Sequence, residues 1–358
     1  MDEIVFVTDL DVSHQGKGGI ATYMSCLLKF LRKKAKITLI GKKEEKSSKN
    51  SYVADQFINI IGQSNYSFFL NLFKLDKSFI KDSAIIVAQR PDFLYPFLMF
   101  KNKKIVTIHG DPASVILKKK GLLTYVIYKF FELKSLRKCN KVIFIDSVAH
   151  NNYIKKYPWL KNKSCVIPPG VDVDLFRPLK KEECRRKLNF PKNSRILVFI
   201  GRFEPEKNID KIIKEFMQIN DWNYNLVLVG SGRELKNTEK ISASDKRIRI
   251  MTDVNHYEIP VYLGSSDALV LMSSHEGLPT VILEAFACGI PVLSRNAGDI
   301  KKIVVNNKTG YIIEFGQLQK YFDLAVARSS ILRPNCINMS KKYSWSKIGK
   351  EIFEAFRK

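Results

Sequence analysis

No apolar run in this chain approaches the roughly 18 residues that a membrane-spanning helix needs. Histidine is scarce, with five in 358 residues, and none sits at metal-ligand spacing from a cysteine. The six cysteines (Cys26, Cys139, Cys165, Cys184, Cys288 and Cys336) are scattered and form no CxxC pair. This excludes a zinc ribbon and a disulfide scaffold and reads as reduced, mostly buried thiols. No repeat of 20–50 residues recurs, which excludes a solenoid. The acidic start Met1-Asp2-Glu3 lacks the cationic leader of a signal peptide, so a cytoplasmic location is expected. Acidic residues are few, 35 against 60 basic, for a net charge of +25. Residues 1–170 hold 29 lysines and arginines against 13 acids, and the rest holds 31 against 22. A basic first half fits a polyanionic partner, either nucleic acid or an anionic membrane, or else a merely solvated surface.

What is present is an alternation of short apolar runs with helical patterns. Ile4–Thr8, Lys36–Ile40, Ala84–Ala88, Lys104–Ile108 and Lys141–Ile145 read as buried parallel strands. Ile20–Leu31 reads as a helix after the glycine loop Gly16–Gly19, whereas the segment from about Lys42 to Asp82 is less regular. Val166–Pro178, with Pro168-Pro169-Gly170, interrupts this rhythm like an interdomain hinge. A second series follows, with strands expected at Arg195–Gly201, Asn225–Gly230, Ile248–Met251, Ala268–Met272 and Pro291–Ser294. Its helices are expected at Asp210–Ile219, Tyr257–Gly264 and Thr280–Ala287. Trp345–Arg357 reads as a closing amphipathic helix. The expected fold is α/β, two Rossmann-like parallel-sheet domains (1–170 and 171–344) facing across a ligand-binding cleft.

The most informative stretch is Glu276-Gly-Leu-Pro-Thr-Val-Ile-Leu-Glu284. Its two carboxylates lie eight positions apart, one in a loop after a strand and one within the next helix. Between them, Gly277 and Leu278 are expected to present amide N–H groups at a helix start, which favours phosphate, and Thr280 is expected in the same donor site. Taken alone, the pair also fits the acid and base of a hydrolase. The second signal is Gly201-Arg-Phe-Glu-Pro-Glu-Lys-Asn208 after a strand, where Gly201 permits a sharp turn. Arg202 and Lys207 there suit an anion, as a bidentate fork and a compact point charge. Gly18 and Gly19 are a weak phosphate-loop signal by themselves. His109, in Thr107-Ile-His-Gly-Asp111, ends a strand, where a lone histidine is more often structural, but Gly110 leaves room beside it and the cleft is near, so a functional role is expected. Asp9-Leu-Asp11 and Asp172-Val-Asp174 imitate acidic metal motifs but read as loop residues, so no metal is expected.

On these residues the chain resembles a retaining glycosyltransferase of family 4, of the surface-polysaccharide and lipopolysaccharide type, with the GT-B fold. Gly18-Gly19, Pro169-Gly170-Val171-Asp172, Gly201-Arg202…Lys207, Val229-Gly230-Ser231-Gly232 and Glu276…Glu284 carry the resemblance. Ala285, Gly289, Pro291-Val292, Thr309-Gly310 and Tyr343-Ser344-Trp345 also fit. The resemblance implies that Arg202 and Lys207 neutralise the diphosphate of a nucleotide sugar, and that Glu284 binds ribose hydroxyls. Glu276 would hold the donor sugar, with the Gly277 and Leu278 amides nearby and His109 above it. The backbone at Val254 would read the base, with UDP favoured on family frequency, and the last helix would cross back onto the first domain. It further implies retention of configuration by same-face attack, without metal or other cofactor. Lys302 stands where the family usually has a glutamate, and Ala297-Gly298 replaces a commoner double glycine.

Segment 118–138 mixes lysines with Leu122, Leu123, Tyr125, Tyr128, Phe130 and Phe131. It reads either as a helix lying on an anionic bilayer or as a core helix with a basic outer face. The first reading implies peripheral attachment at the inner membrane face and a lipid-linked or lipopolysaccharide glycan acceptor. A nucleic-acid-binding protein would explain the charge, but no RNA-binding motif is present, so no nucleic acid is expected. A catalytically silent GT-B partner protein is disfavoured by intact Arg202, Lys207, Glu276 and Glu284.

Overall fold

A computed structural model describes residues 2–11, 18–42, 54–60 and 65–358. The chain divides into two compact units, Met1–Pro169 with Trp345–Lys358, and Gly170–Ser344.

In the first unit the elements are β1 (Asp2–Val7), α1 (Gly19–Leu31), β2 (Ala35–Gly41), β3 (Gln56–Asn59), α2 (Asn65–Lys74) and β4 (Ile85–Ala88). Then come α3 (Pro91–Leu94), β5 (Lys103–Ile108), α4 (Pro112–Lys138), β6 (Lys141–Phe144), α5 (Ser147–Lys156) and β7 (Ser164–Val166). The strands form one parallel sheet in the order β3-β2-β1-β4-β5-β6-β7. Val5, Val7, Ile86, Val106, Ile108 and Phe144 are buried because helices cover a parallel sheet on both faces. The order reverses between β1 and β4, and at such a switch point the loops leaving two neighbouring strands diverge.

The second unit contains α6 (Lys181–Lys187), β8 (Arg195–Ile200), α7 (Ile209–Met217), β9 (Tyr224–Val229), α8 (Leu235–Ser242), β10 (Ile248–Met251) and α9 (Ile259–Ser265). It continues with β11 (Ala268–Leu271), α10 (Thr280–Ala287), β12 (Val292–Ser294), β13 (Gly310–Ile312), α11 (Leu318–Ala327) and α12 (Ser329–Ser340). Its parallel sheet runs β10-β9-β8-β11-β12-β13, so the switch point lies between β8 and β11. The amide of Val171 donates to the carbonyl of Tyr343 at 2.8 Å, joining the two ends of the unit.

The expected strands form, and three more appear. The segment read as irregular contains β3 and α2, with residues 43–53 and 61–64 outside the described ones. Part of the expected hinge is strand, because Ser164–Val166 pairs with β6 before the prolines. The third, β13, is only three residues long and too short to show a period.

The C-terminal helix, Trp345–Arg357, buries Ile348, Ile352 and Phe356 at four-residue spacing, one face of an α-helix. It packs on α1, with Phe356 6.0 Å from Phe6 and Trp345 5.4 Å from Tyr23, ring to ring. Gly349 lies against the Phe30 ring, and a Cβ there would overlap it. The Gly349→Ala variant is therefore expected to lose about 1–3 kcal/mol, the range for overpacking a filled contact. Denaturant unfolding measures this, and an unchanged midpoint would show that the helix docks loosely.

Candidate functional site

In the second unit the loops leaving β8, β9 and β11 are bound to one another by backbone contacts. Phe203 N–H donates to the Ser231 carbonyl (2.8 Å) and Glu234 N–H to the Phe203 carbonyl (2.9 Å). Gly230 and Gly232 are required here, because a Cβ on either would overlap the backbone at Gly201 or Phe203. Across the switch point, Ser274 N–H donates to the Glu206 carbonyl at 2.9 Å, and Asn208 Nδ2 to the Met272 carbonyl at 2.8 Å. Asn208 itself is left-handed (φ 52°), which turns the chain into α7.

These staples bring Lys207 and Glu276 together, 69 residues apart in sequence, with Nζ 2.5 Å from Oε1. Both side chains are mostly buried, at 18% and 12% exposure, so the pair is more than a surface ion pair. Arg202 is exposed and has no carboxylate partner among the described residues. The site thus holds a balanced pair, and the same loop carries the exposed Arg202 guanidinium and the exposed Glu206 carboxylate.

Glu284 lies in α10 and is 7% exposed. Burial pushes its carboxyl up to about 8. No hydrogen bond satisfies it among the described residues, and His256 Nε2 lies 4.0 Å away. The His256 ring stacks edge-on to Phe176, and burial lowers its proton affinity against a smaller opposing pull from Asp172. A buried carboxyl without partners is costly and suits a guest that brings hydroxyl donors.

One expectation needs correction. Helix α10 begins at Thr280 with Pro279 as its cap, so Gly277 and Leu278 lie in the loop before it rather than in its first turn. The adjacent proline sets the helix start, since its fixed φ and missing N–H suit that position. The Gly277 carbonyl accepts from Asp299 N–H at 3.0 Å. Gly298, at φ 58°, lies so close that a Cβ would overlap the Glu276 carbonyl, which accounts for the glycine there. Lys302 pairs with Asp299 at 2.7 Å. Val254 follows β10 and is half-buried against the unit's core.

In the first unit, Gly18 caps α1 and Gly19 opens it, and a Cβ on either would meet nothing within 4 Å among the described residues. Gly16 and Lys17 lie outside the described residues. His109 ends β5, and its Nε2–H donates to Gln89 Oε1 at 2.7 Å. Its Nδ1 is shielded and unpartnered, and burial pushes the ring down to about 3, so it is a neutral imidazole with a bare acceptor. Tyr23 packs edge-on to it at 5.0 Å. At the switch point Arg90 joins Asp9 (3.4 Å) and Asp92 (2.8 Å), so Asp9 serves an ion pair. Asp172 accepts from the amides of Asp174 and Leu175, each at 3.1 Å. Among the described residues no group of three or more His, Cys, Asp or Glu is placed to hold a metal.

Sequence reasoning missed Asn208, His256 and Gln89. Only Asn208 left a signal, as a turn-forming residue directly after the Lys207 loop. The other two act through proximity created by folding.

Residues 17–175 match the family described as Glycosyltransferase Family 4, and residues 180–342 match Glycosyl transferases group 1. The chain is 29% identical over 255 residues to the UDP-Gal:alpha-D-GlcNAc-diphosphoundecaprenol alpha-1,3-galactosyltransferase of Escherichia coli, covering 65% of this chain and 62% of that protein. It is 26% identical over 227 residues to a probable sucrose-phosphate synthase of Thermosipho melanesiensis, covering 60% and 52%. The matches therefore span between half and two thirds of these relatives. Anabaena HepE, solved with UDP and glucose, superposes with TM-score 0.79 at 16% identity over 100% of both chains. At that identity the likeness concerns the fold, and two parallel-sheet units of this kind are the GT-B fold.

Glu284 makes stability depend on pH. Its folded-state value, about 8, lies above the ordinary 4.5, so between these the folded protein keeps a proton that the unfolded chain releases. Stability from this group is therefore expected to fall as pH rises from 4.5 to 8. Thermal unfolding of ligand-free wild type and Glu284→Gln checks it. The curves should diverge as pH rises, the variant being relatively more stable, and parallel curves would contradict the assignment.

Proposed function

The chain is built from a glycosyltransferase family 4 domain and a group 1 glycosyl transferase domain, and from that premise we propose that it is a retaining glycosyltransferase. It transfers a hexosyl unit from a nucleotide diphosphate sugar, UDP-linked by preference, to a lipid-linked glycan in surface polysaccharide assembly. The observation that carries the reading is the Lys207–Glu276 pair at the switch point, beside exposed Arg202 and buried Glu284. Two relatives support the substrate classes. One is named for a UDP-galactose donor and a diphosphoundecaprenol-linked acceptor, and the other was solved with UDP and glucose.

Glycosyl transfer breaks the bond between the anomeric carbon and the β-phosphate, so negative charge grows on the leaving diphosphate. Arg202 and Lys207 stabilise that charge, and the amides ahead of α10 add donors. Glu276 then turns from Lys207 toward hydroxyls of the donor sugar, and Glu284 accepts from the ribose. Same-face attack lets the departing phosphate take the acceptor proton. The two cations do the electrostatic work a metal would otherwise do, so no metal is required.

Helix α4 supports attachment at a membrane surface, through Phe130 but not through Tyr128 or Phe131 of the aromatics the sequence singled out. Tyr128 is buried, and Phe131 packs against Phe69 and Tyr95. The exposed residues are instead Leu122, Leu123, Val126, Ile127 and Phe130, after Lys118–Lys120. Gly121 breaks the helix there with φ 81°. Among the described residues no helix is long and apolar enough to cross a membrane.

The donor reading is tested by thermal shift with UDP-, GDP- and ADP-sugars, where a ligand of the folded state raises the midpoint. Lys207→Ala should then lower turnover by about 10²–10³ with a smaller loss of donor binding. Intact turnover in that variant would sink the assignment. For the membrane, flotation should recover the protein with anionic vesicles and far less with neutral ones. Failure to float with either would refute attachment.

A further inference from the structure

A cavity of about 140 Å³ opens in the first unit between α4 and α5. Tyr125 and Lys129 line it from one side, and Asn152, Tyr153, Lys156 and Tyr157 from the other. Its lining begins at Asp111, two residues after His109, but nothing in the transfer chemistry accounts for two ammonium groups on facing helices.

Lys129 is already balanced. It pairs with fully buried Glu132, whose Oε1 also accepts from Tyr153 (2.6 Å) and Tyr128 (3.2 Å). Glu132 is thereby occupied by three groups behind the cavity wall. Lys156 has no carboxylate partner among the described residues and lies over the Tyr157 ring at 5.7 Å. The two amines repel: burial, and secondarily Lys156, push the Lys129 ammonium down to about 7. The one carboxylate in the lining, Asp111, accepts from the amide and hydroxyl of Ser114 at the start of α4, and its charge opposes part of the downward shift at Lys129. The cavity therefore keeps one ammonium, Lys156, without a carboxylate partner among the described residues, beside the Asn152 amide and the Tyr125 and Tyr157 hydroxyls, which together suit a phosphate.

Exposed apolar side chains lie next to the lining along α4. Leu117 lines the cavity, and Leu122 and Val126, one turn before Tyr125 and Lys129 along α4, are 67% and 55% exposed. A charged hollow with exposed aliphatic side chains beside it matches a molecule with a phosphate head and a hydrocarbon tail. We propose that this cavity binds the phosphate of a lipid-linked acceptor, with its hydrocarbon chain lying along Leu117, Leu122 and Val126. The site rests on the lipid-linked acceptor of the proposed function and adds where its phosphate is held.

Direct binding tests it without turnover, using farnesyl phosphate, farnesol and inorganic phosphate as probes. Farnesyl phosphate should bind at least about tenfold tighter than either of the others, a difference of one charge-assisted contact. Lys156→Gln and Asn152→Asp, both at exposed positions, should each weaken it by about tenfold, the first by losing charge and the second by adding repulsion. Equal binding of farnesol would reduce the site to apolar surface. Equal binding of inorganic phosphate would make it a free-phosphate site, and unaffected variants would place the ligand elsewhere. Each of these overturns the proposal. The thermal shift with nucleotide sugars, run on the same proteins, keeps the two readings apart. Both variants should retain the wild-type shift, and a wild type without any shift would count against the donor reading alone.

Discussion

The second unit depends on how closely the loops at the carboxyl edge of its sheet approach one another. Backbone meets backbone at Gly201 and Gly230, at Phe203 and Gly232, and at Glu276 and Gly298. No side chain fits between these segments, so three glycines at positive φ are a steric requirement. The approach is what holds Lys207 against Glu276. Two side chains from different loops keep a 2.5 Å contact only if the backbone beneath them is rigid, and the Asn208 and Ser274 hydrogen bonds supply that rigidity. The ion pair is the readout of the arrangement, and the glycines and staples are its cause.

Charge burial gives each unit its second constraint. Glu284 and His109 are both held away from water, and each is kept neutral by burial rather than by a partner of opposite charge. A neutral carboxyl and a neutral imidazole are poor groups for holding a fold together, but they are ready to exchange hydrogen bonds with hydroxyls. By contrast, Arg90 with Asp9 and Asp92, and Glu132 with Lys129, Tyr128 and Tyr153, pair their charges internally. The contrast separates groups without a partner of opposite charge from residues that serve the scaffold. Lys156 and Arg202 belong with the first kind, as exposed cations without a carboxylate among the described residues.

Much of this was legible in the chain, and the legible part follows from local rules. Ile4–Thr8, Arg195–Gly201 and Ala268–Met272 were recognisable as strands because parallel strands buried on both faces read as continuous apolar runs. Trp345–Arg357 was recognisable because its apolar face keeps the helical period. Strands β3 and β13 were not: both lie at the edge of their sheet, and β3 has no buried residue to make the apolar run that marks a central strand. Two aromatics of α4 misled for a related reason. Composition does not say which side of a helix faces the core, and Tyr128 and Phe131 turn inward while Leu122 and Val126 stay outside.

The sequence by itself determined that this is a two-part α/β chain, and it put Arg202, Lys207, Glu276 and Glu284 in loops and a helix that follow strands. Spacing and residue type suffice for that, because each feature is set within a few residues. Only the tertiary structure decided that Lys207 meets Glu276, that Glu284 is buried beside His256, and that Lys129 faces Lys156 across a cavity. Those are contacts between segments far apart in the chain. Their geometry is imposed by sheet order and glycine-limited backbone approach, neither of which is written in any local pattern.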